Sequence, residues 1–413
     1  MCGIRLSGER DSIQSIVGPL REVSLDTCET GIQQNRQEGN TNMPQPMAHV
    51  FIVDDNTFPV HLEYQFAGTT AGTKRQWSTS LYADIARVRP GDRAYFYLLR
   101  QGFYGPFKVD PNGQGVWWDR LDPTFLQDRL QRRLIYRVQV VNDSTYPLGV
   151  SEWDALDRYL RDPKHCLWSL VYRKLKGERG CTMIFPWEDD FLLKLIREKN
   201  ESEGRGPIRC GDDEHLTWDR NKGEVSIVPG PFPKYAPSKP EHITPPEDPM
   251  IQLRTASGSE VHLQAFLTRN YGRFPESELI FGPTSSIVWV GNEVACGLGM
   301  QKIDLFVINE EQGSRRFRVI ELKKEPPNEQ TVLQFERYID WTKRFVPGAN
   351  HLAIQPILLC RNLKRCPLSN KTITSFREFN TAGLALPIVY IECARDTLSN
   401  EMRFYEVDYG ARL

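Results

Sequence analysis

The chain reads as two folded halves of different class: an α+β amino-terminal half and an α/β carboxy-terminal half with a mixed central sheet. Three observations carry that reading. Short β-branched and aromatic runs alternate with helical spacing up to about residue 200. From Ile303 onward, two apolar segments joined by a turn precede an amphipathic helix and then further strands. Between the halves, eight prolines fall from Pro229 to Pro249, a composition that disfavours a continuous packed element.

In the first half, His49 to Val53, Ala94 to Leu99 and Leu134 to Val141 have strand composition, and Pro90-Gly91-Asp92 supplies a turn. Leu167 to Tyr172 is a further expected strand. Glu152 to Arg161 and Glu188 to Lys199 have helical spacing. Residues 1–46 are polar and include Gln33-Gln-Asn-Arg-Gln-Glu-Gly-Asn-Thr-Asn42, which reads as a flexible tail. The expected organisation is therefore a tail over 1–46, a domain over 47–200, a proline-rich linker over 201–250 and a second domain over 251–413. Within the linker, the segments around Asn221-Lys-Gly could pair as a small hairpin.

In the second half, Ile303 to Ile308 and Arg318 to Lys323 are short and apolar, and Asn309 to Ser314 between them is turn-rich. A hairpin symmetric about Gln312 and Gly313 sets Asp304 opposite Glu321, and the period of two puts Lys323 on the face of Glu321. Two carboxylates and an ammonium then converge. Such a cluster suits a hard divalent cation, since oxygen ligands hold Mg²⁺ and leave positions for water and phosphate. The same pattern also describes charges on a solvated hairpin face. Downstream, Asn328 starts an amphipathic helix to Phe345 that places Gln334 and Tyr338 on one face. Ser259 to Tyr271 is an expected helix, and Leu352 to Leu359 and Ile388 to Glu392 are expected strands.

Ile303-Asp304 followed by Glu321-Leu322-Lys323 resembles the PD-(D/E)xK nuclease superfamily, although the usual proline before the aspartate is absent. Gln334-Phe335-Glu336-Arg337-Tyr338 resembles the QxxxY element of RecB-like nucleases, and Gly291-Asn292-Glu293-Val294 ahead of Asp304 resembles the NucS type. The resemblance implies Mg²⁺ or Mn²⁺ on Asp304 and Glu321, helped by Glu293 or Glu260, with Lys323 positioning water. Gln334 and Tyr338 would brace Lys323 or contact the DNA backbone. Glu260 has a second reading as a helix-start glutamate favoured by the macrodipole.

In the first half, Arg89-Pro-Gly-Asp-Arg-Ala-Tyr-Phe-Tyr, Gly102-Phe-Tyr-Gly-Pro-Phe-Lys-Val and Tyr136-Arg-Val-Gln-Val resemble the EVE branch of PUA-like domains, which implies a β-barrel that reads a modified base. Trp77, Tyr97, Trp117 and Trp118 are the candidate pocket walls, because flat rings can stack on an extruded base. Each of these rings has an alternative reading as core packing.

A net charge of −1 means that any nucleic-acid surface must be local, and the basic residues between Arg315 and Arg365 are one candidate. The nine cysteines lack a CxxC pair, which fits neither a disulfide framework nor a zinc site. No apolar stretch reaches membrane-span length, and the expected compartment is the cytoplasm. Together the two resemblances imply a modification-dependent DNA endonuclease of restriction type, working as a homodimer because duplex cleavage needs two cuts. Alternatives are a repair endonuclease on mismatched or branched DNA, or a non-catalytic reader of modified nucleic acid.

Overall fold

The computed structural model describes residues 46–70, 75–112, 117–118, 126–142, 144–161, 180–230, 241–242, 253, 259–297, 301–362, 366–396, 398–399 and 401–410, without the side chains of 75–78, 117–118, 159–160 and 241–242. The expected tail and the expected strand at Leu167 to Tyr172 lie outside these residues.

The first half is a curled nine-stranded sheet with helices against it. Its strands are β1 (Ala48–Val53), β2 (Phe66–Thr69), β3 (Arg93–Leu98), β4 (Gly102–Val109), β5 (Trp117–Trp118), β6 (Tyr136–Val141), β7 (Val150–Ser151), β8 (Cys181–Ile184) and β11 (Glu241–His242). The path runs β11-β5-β6-β4-β3-β1-β8, with β2 on β6 and β7 on β4. Its helices are α1 (Thr57–Glu63), α2 (Arg75–Ile85), α3 (Gln127–Leu130), α4 (Glu152–Arg161) and α5 (Pro186–Ser202). Asp92 does more than turn the chain. It is buried and accepts from the backbone N–H groups of Met47 at 3.0 Å and Arg89 at 2.8 Å, and it lies 2.8 Å from His49 Nε2. The start of β1 and the turn at Arg89 are thereby tied to one carboxylate.

A second hairpin, β9 (Glu214–Asp219) with β10 (Glu224–Pro229), turns at Asn221-Lys-Gly. Its alternation buries Leu216, Trp218 and Val225 in the first core, where Trp218 lies 5.8 Å from Phe58. The expected linker therefore begins later than residue 201: α5 extends to Ser202 and the hairpin belongs to the first half.

The second half is a six-stranded mixed sheet in the order β12-β13-β14-β15-β16-β17. These strands are β12 (Ile287–Ala295), β13 (Lys302–Glu311), β14 (Ser314–Lys323), β15 (Ile354–Cys360), β16 (Val389–Arg395) and β17 (Met402–Glu406). Four helices accompany them: α6 (Glu260–Asn270), α7 (Ser277–Phe281), α8 (Glu329–Phe345) and α9 (Asn370–Ala382). Asn328 caps α8 as expected, its side chain accepting from Gln330 N at 3.1 Å. Among the described residues all six cysteines are free, and no helix is long and apolar enough to cross a membrane.

The halves share a core rather than a tether. Phe185 of the first stacks on Trp289 of the second at 4.3 Å, and Trp289 Nε1 donates to Ile184 O at 2.8 Å. Met47 and Met183 are buried in the same cluster as the second sheet. On another flank α2 packs against α6, and Asn292 Nδ2 donates to Asp84 Oδ1 at 3.0 Å. Trp289→Ala should therefore cost about 3–5 kcal/mol of stability, the usual range for a buried tryptophan. Urea unfolding measures this. Cleaving the chain between residues 231 and 258 should leave both fragments associated on gel filtration, and free fragments would contradict the shared core.

Candidate functional site

The site is built on the β13–β14 hairpin. Gln312 and Gly313 have φ of 50° and 79°, the paired left-handed conformation that closes a two-residue turn with the twist of its strands. Glu311 pairs with Ser314, and the register runs back to Leu305 opposite Ile320. One step further, Asp304 stands opposite Glu321, as the symmetric hairpin requires.

The last paired residues are Leu305 and Ile320, and side chains take over the backbone groups beyond them. Leu322 N donates to Asp304 Oδ2 at 2.8 Å. Gln264 of α6 donates to Asp304 O at 2.9 Å. Glu321 is buried; one carboxylate oxygen accepts from Lys323 Nζ at 2.5 Å and the other from the Tyr338 hydroxyl at 3.2 Å. The same hydroxyl lies 3.0 Å from Lys302 O, so its one proton is shared between acceptors on β13 and β14. Tyr338 thus holds Glu321 rather than Lys323. Gln334 is half-buried on the wall of the adjoining cleft, without a hydrogen bond to Lys323.

The two acidic helpers divide. Glu260, the first residue of α6, accepts from Lys324 N at 3.0 Å and lines the cleft. Its charge is felt by Asp304, Glu321 and Lys323 alike. Glu293 is flanked by the pairs Asn292–Leu305 and Val294–Ile303, so a regular strand would set it opposite Asp304. Instead it has a φ of 49°, a left-handed conformation rare for such a residue in a strand, and its carboxylate pairs with Lys302 Nζ at 2.6 Å. The structure therefore brings in Glu260 and commits Glu293 to Lys302.

Burial comes first in the electrostatics, since it penalises a charged carboxylate. Burial and the facing Glu321 push Asp304 well above the ordinary aspartate range. Burial also raises Glu321, against the opposing pull of Lys323 and its hydrogen bond. For Lys323 burial works the other way, but Glu321 and Asp304 outweigh it and hold the ammonium charged. An open cleft of about 630 Å³ adjoins the cluster, with Glu260, Lys323, Gln334 and Arg337 on its wall. Asp304 and Glu321 sit behind that wall. Among the described residues no group of three or more His, Cys, Asp or Glu side chains is arranged to hold a metal.

Sequence reasoning missed Gln264, whose only signal is a polar residue on the apolar stretch of α6. It also missed the row formed when Cys360 pairs with Lys323 on one side and Glu392 on the other. Glu392 there accepts from Asn362 at 2.9 Å and the Tyr390 hydroxyl at 2.7 Å.

The candidate base-reading residues fare differently. Tyr97 is buried in the sheet of the first half, its ring 4.9 Å from Phe103 and its hydroxyl donating to Glu152 at 2.5 Å. It is a core residue, because the third strand of a sheet packed on both faces leaves no open side. Tyr95, Phe103 and Tyr104 are buried likewise. The side chains of Trp77 on α2 and of Trp117 and Trp118 on β5 lie outside the described residues. A cavity of about 420 Å³ opens elsewhere in this half, between Arg93, Lys108, Tyr146 and Arg197.

No protein-family model matches the chain, and no curated protein matches it. Among solved structures, the chain is similar to human THYN1 protein in complex with 5-methylcytosine containing DNA, at 13% identity and a TM-score of 0.26. That match covers 36% of this chain and 97% of THYN1.

One consequence of the burial is testable without a substrate. A raised carboxylate pKa destabilises the fold as pH climbs from the unfolded aspartate value, near 3.8, towards the folded one. Asp304→Asn removes that charge and keeps an acceptor for Leu322 N. The variant should match wild type in metal-free thermal melts near pH 4 and exceed it increasingly as pH rises.

Proposed function

We propose that the protein is a divalent-metal-dependent endonuclease that cuts DNA, using Asp304, Glu321 and Lys323. The observation that carries this reading is the convergence of Asp304 and Glu321 across the hairpin, with Lys323 and Tyr338 each bonded to one oxygen of Glu321. A purely structural hairpin has no need to set a half-buried carboxylate opposite a buried one, an arrangement that costs stability.

The donor set fits a hard cation. It offers carboxylate oxygens alone, and Mg²⁺ is commonly held by one or two carboxylates while keeping several waters. Asp304 and Glu321 would hold it, with Glu260 at the cleft edge. When bound, the ion would supply Lewis-acid stabilisation of phosphate charge and a more acidic water. The protein's own contribution is positional. Tyr338 fixes the Glu321 carboxylate, Glu321 aims the Lys323 ammonium, and Lys323 reaches the cleft where it can orient a water or offset charge on a phosphodiester. Gln334 and Arg337 on the same wall are suited to backbone contacts.

The reading extends to the first half as a PUA-like domain for a modified base, and the second half as a PD-(D/E)xK nuclease domain. These finer assignments rest on the motifs in the sequence. Trp77 and Trp117 are the residues proposed to stack on the base.

Incubation with Mg²⁺ and methylated, hydroxymethylated, mismatched or plain duplexes tests the assignment. Asp304→Asn, Glu321→Gln and Lys323→Ala should each lower cleavage by about 10²-fold or more while leaving DNA binding intact. Undiminished nicking by pure Asp304→Asn protein would remove the site. Preference for mismatched over modified duplexes would favour repair over restriction.

For the reader, alanine at Trp77 or Trp117 should weaken modified DNA by about 1–3 kcal/mol and spare plain duplex. Equal loss on both duplexes in a binding titration, or a clear drop in melting temperature, would return these rings to the core.

A further inference from the structure

Three arginines lie at the junction of the halves. Arg89 follows α2 in the first half, and Arg269 and Arg273 flank the end of α6 in the second. The Arg89 guanidinium lies 3.8 Å above the ring of Tyr271 and donates to Tyr271 O at 3.2 Å. Tyr271 is two residues from both Arg269 and Arg273, and Arg89 and Arg269 both lie near enough for their charges to act on Arg273. Among the described residues none of the three has a carboxylate within ion-pair distance. The nearby Asp92 carboxylate is already committed to two backbone N–H groups and His49.

Like charges do not gather without cause. Partial desolvation and then the charges of Arg89 and Arg269 hold Arg273 below the ordinary arginine value. The fold accepts this repulsion while leaving Arg269 half-buried and Arg273 exposed. The Arg89 fork is pinned on an aromatic face, which lowers the entropy lost when it binds an anion. An anion with several oxygens would relieve the repulsion and complete the geometry, and a guanidinium group matches phosphate with paired N–H donors.

We propose that Arg89, Arg269 and Arg273 form a phosphate site for a nucleic-acid backbone, placed where the two halves meet. The site rests on the DNA-binding part of the reading above and needs no cleavage. It binds phosphate alone, so it would raise affinity for any sequence and any modification state and register the duplex against both halves at once. It is separate from the basic residues between Arg315 and Arg365.

The test is binding of a short unmodified duplex by fluorescence anisotropy, without divalent metal, across a salt series. Each cation withdrawn from a phosphate lowers the slope of log K against log salt by about 0.9. Arg269→Ala/Arg273→Ala should therefore flatten the slope by about 1.8, twice that value, and weaken plain and modified duplexes alike. Arg161→Ala, at an exposed arginine paired with Asp157 on α4, should leave the slope unchanged. Thermal melts establish that each variant is folded. Arg273→Lys, which keeps the charge, serves as the second variant and should retain most of the slope. An unchanged slope in the folded double variant, an equal loss in Arg161→Ala, a loss confined to modified DNA, or no duplex binding by the wild-type protein would each overturn the proposal. Because cleavage is scored separately with Asp304→Asn, a protein that binds through these arginines but never cuts would sink the nuclease reading alone.

Discussion

The two-residue turn at Gln312 and Gly313 sets the register on which the candidate site depends. Because side chains alternate with a period of two, a slip of one residue would turn Asp304 or Glu321 to the other face of the sheet. With the turn closed as it is, Phe306, Ile308, Phe317 and Val319 are buried on the hairpin, and the charged residues are left at its open end. The same burial that stabilises the apolar part of the hairpin brings the carboxylates together. Their mutual repulsion is offset by Lys323 and the Leu322 N–H at the end of β14 and by Tyr338 from α8.

That arrangement is sustained from behind. Gln264 reaches Asp304 from α6, and α6 is itself packed against α2 of the first half. The Phe185–Trp289 stack joins the two halves on another flank, with Trp187 stacked on Phe185 at 4.3 Å. The helix that carries Gln264 is thus in contact with both Asp304 and the first half.

The cluster also illustrates how a functional arrangement is stable locally for reasons other than its charges. Glu321 and Asp304 are held in an environment that disfavours their ionised forms, while the apolar strands around them supply the stability. Glu293 shows the converse: its left-handed backbone is a local cost, and its carboxylate pairs with Lys302.

What the sequence determined by itself was local. The hairpin, its turn, the opposition of Asp304 and Glu321, the Asn328 cap and the span of α8 all depend on residues close in the chain, where periodicity and turn chemistry are decisive. The β9–β10 hairpin was legible for the same reason, in the segments around the Asn221-Lys-Gly turn. Long-range choices were not. Whether Tyr338 would hold Lys323 or Glu321 depended on how α8 crosses the sheet, and the left-handed backbone at Glu293 interrupted the alternation that would set it opposite Asp304. Tyr97 became core because neighbouring strands and helices cover both faces of β3. The prolines after Pro229 indicated a boundary in the chain, yet Phe185 and Trp289 joined the halves, because apolar surface is buried wherever it can meet, whatever the sequence distance between its parts.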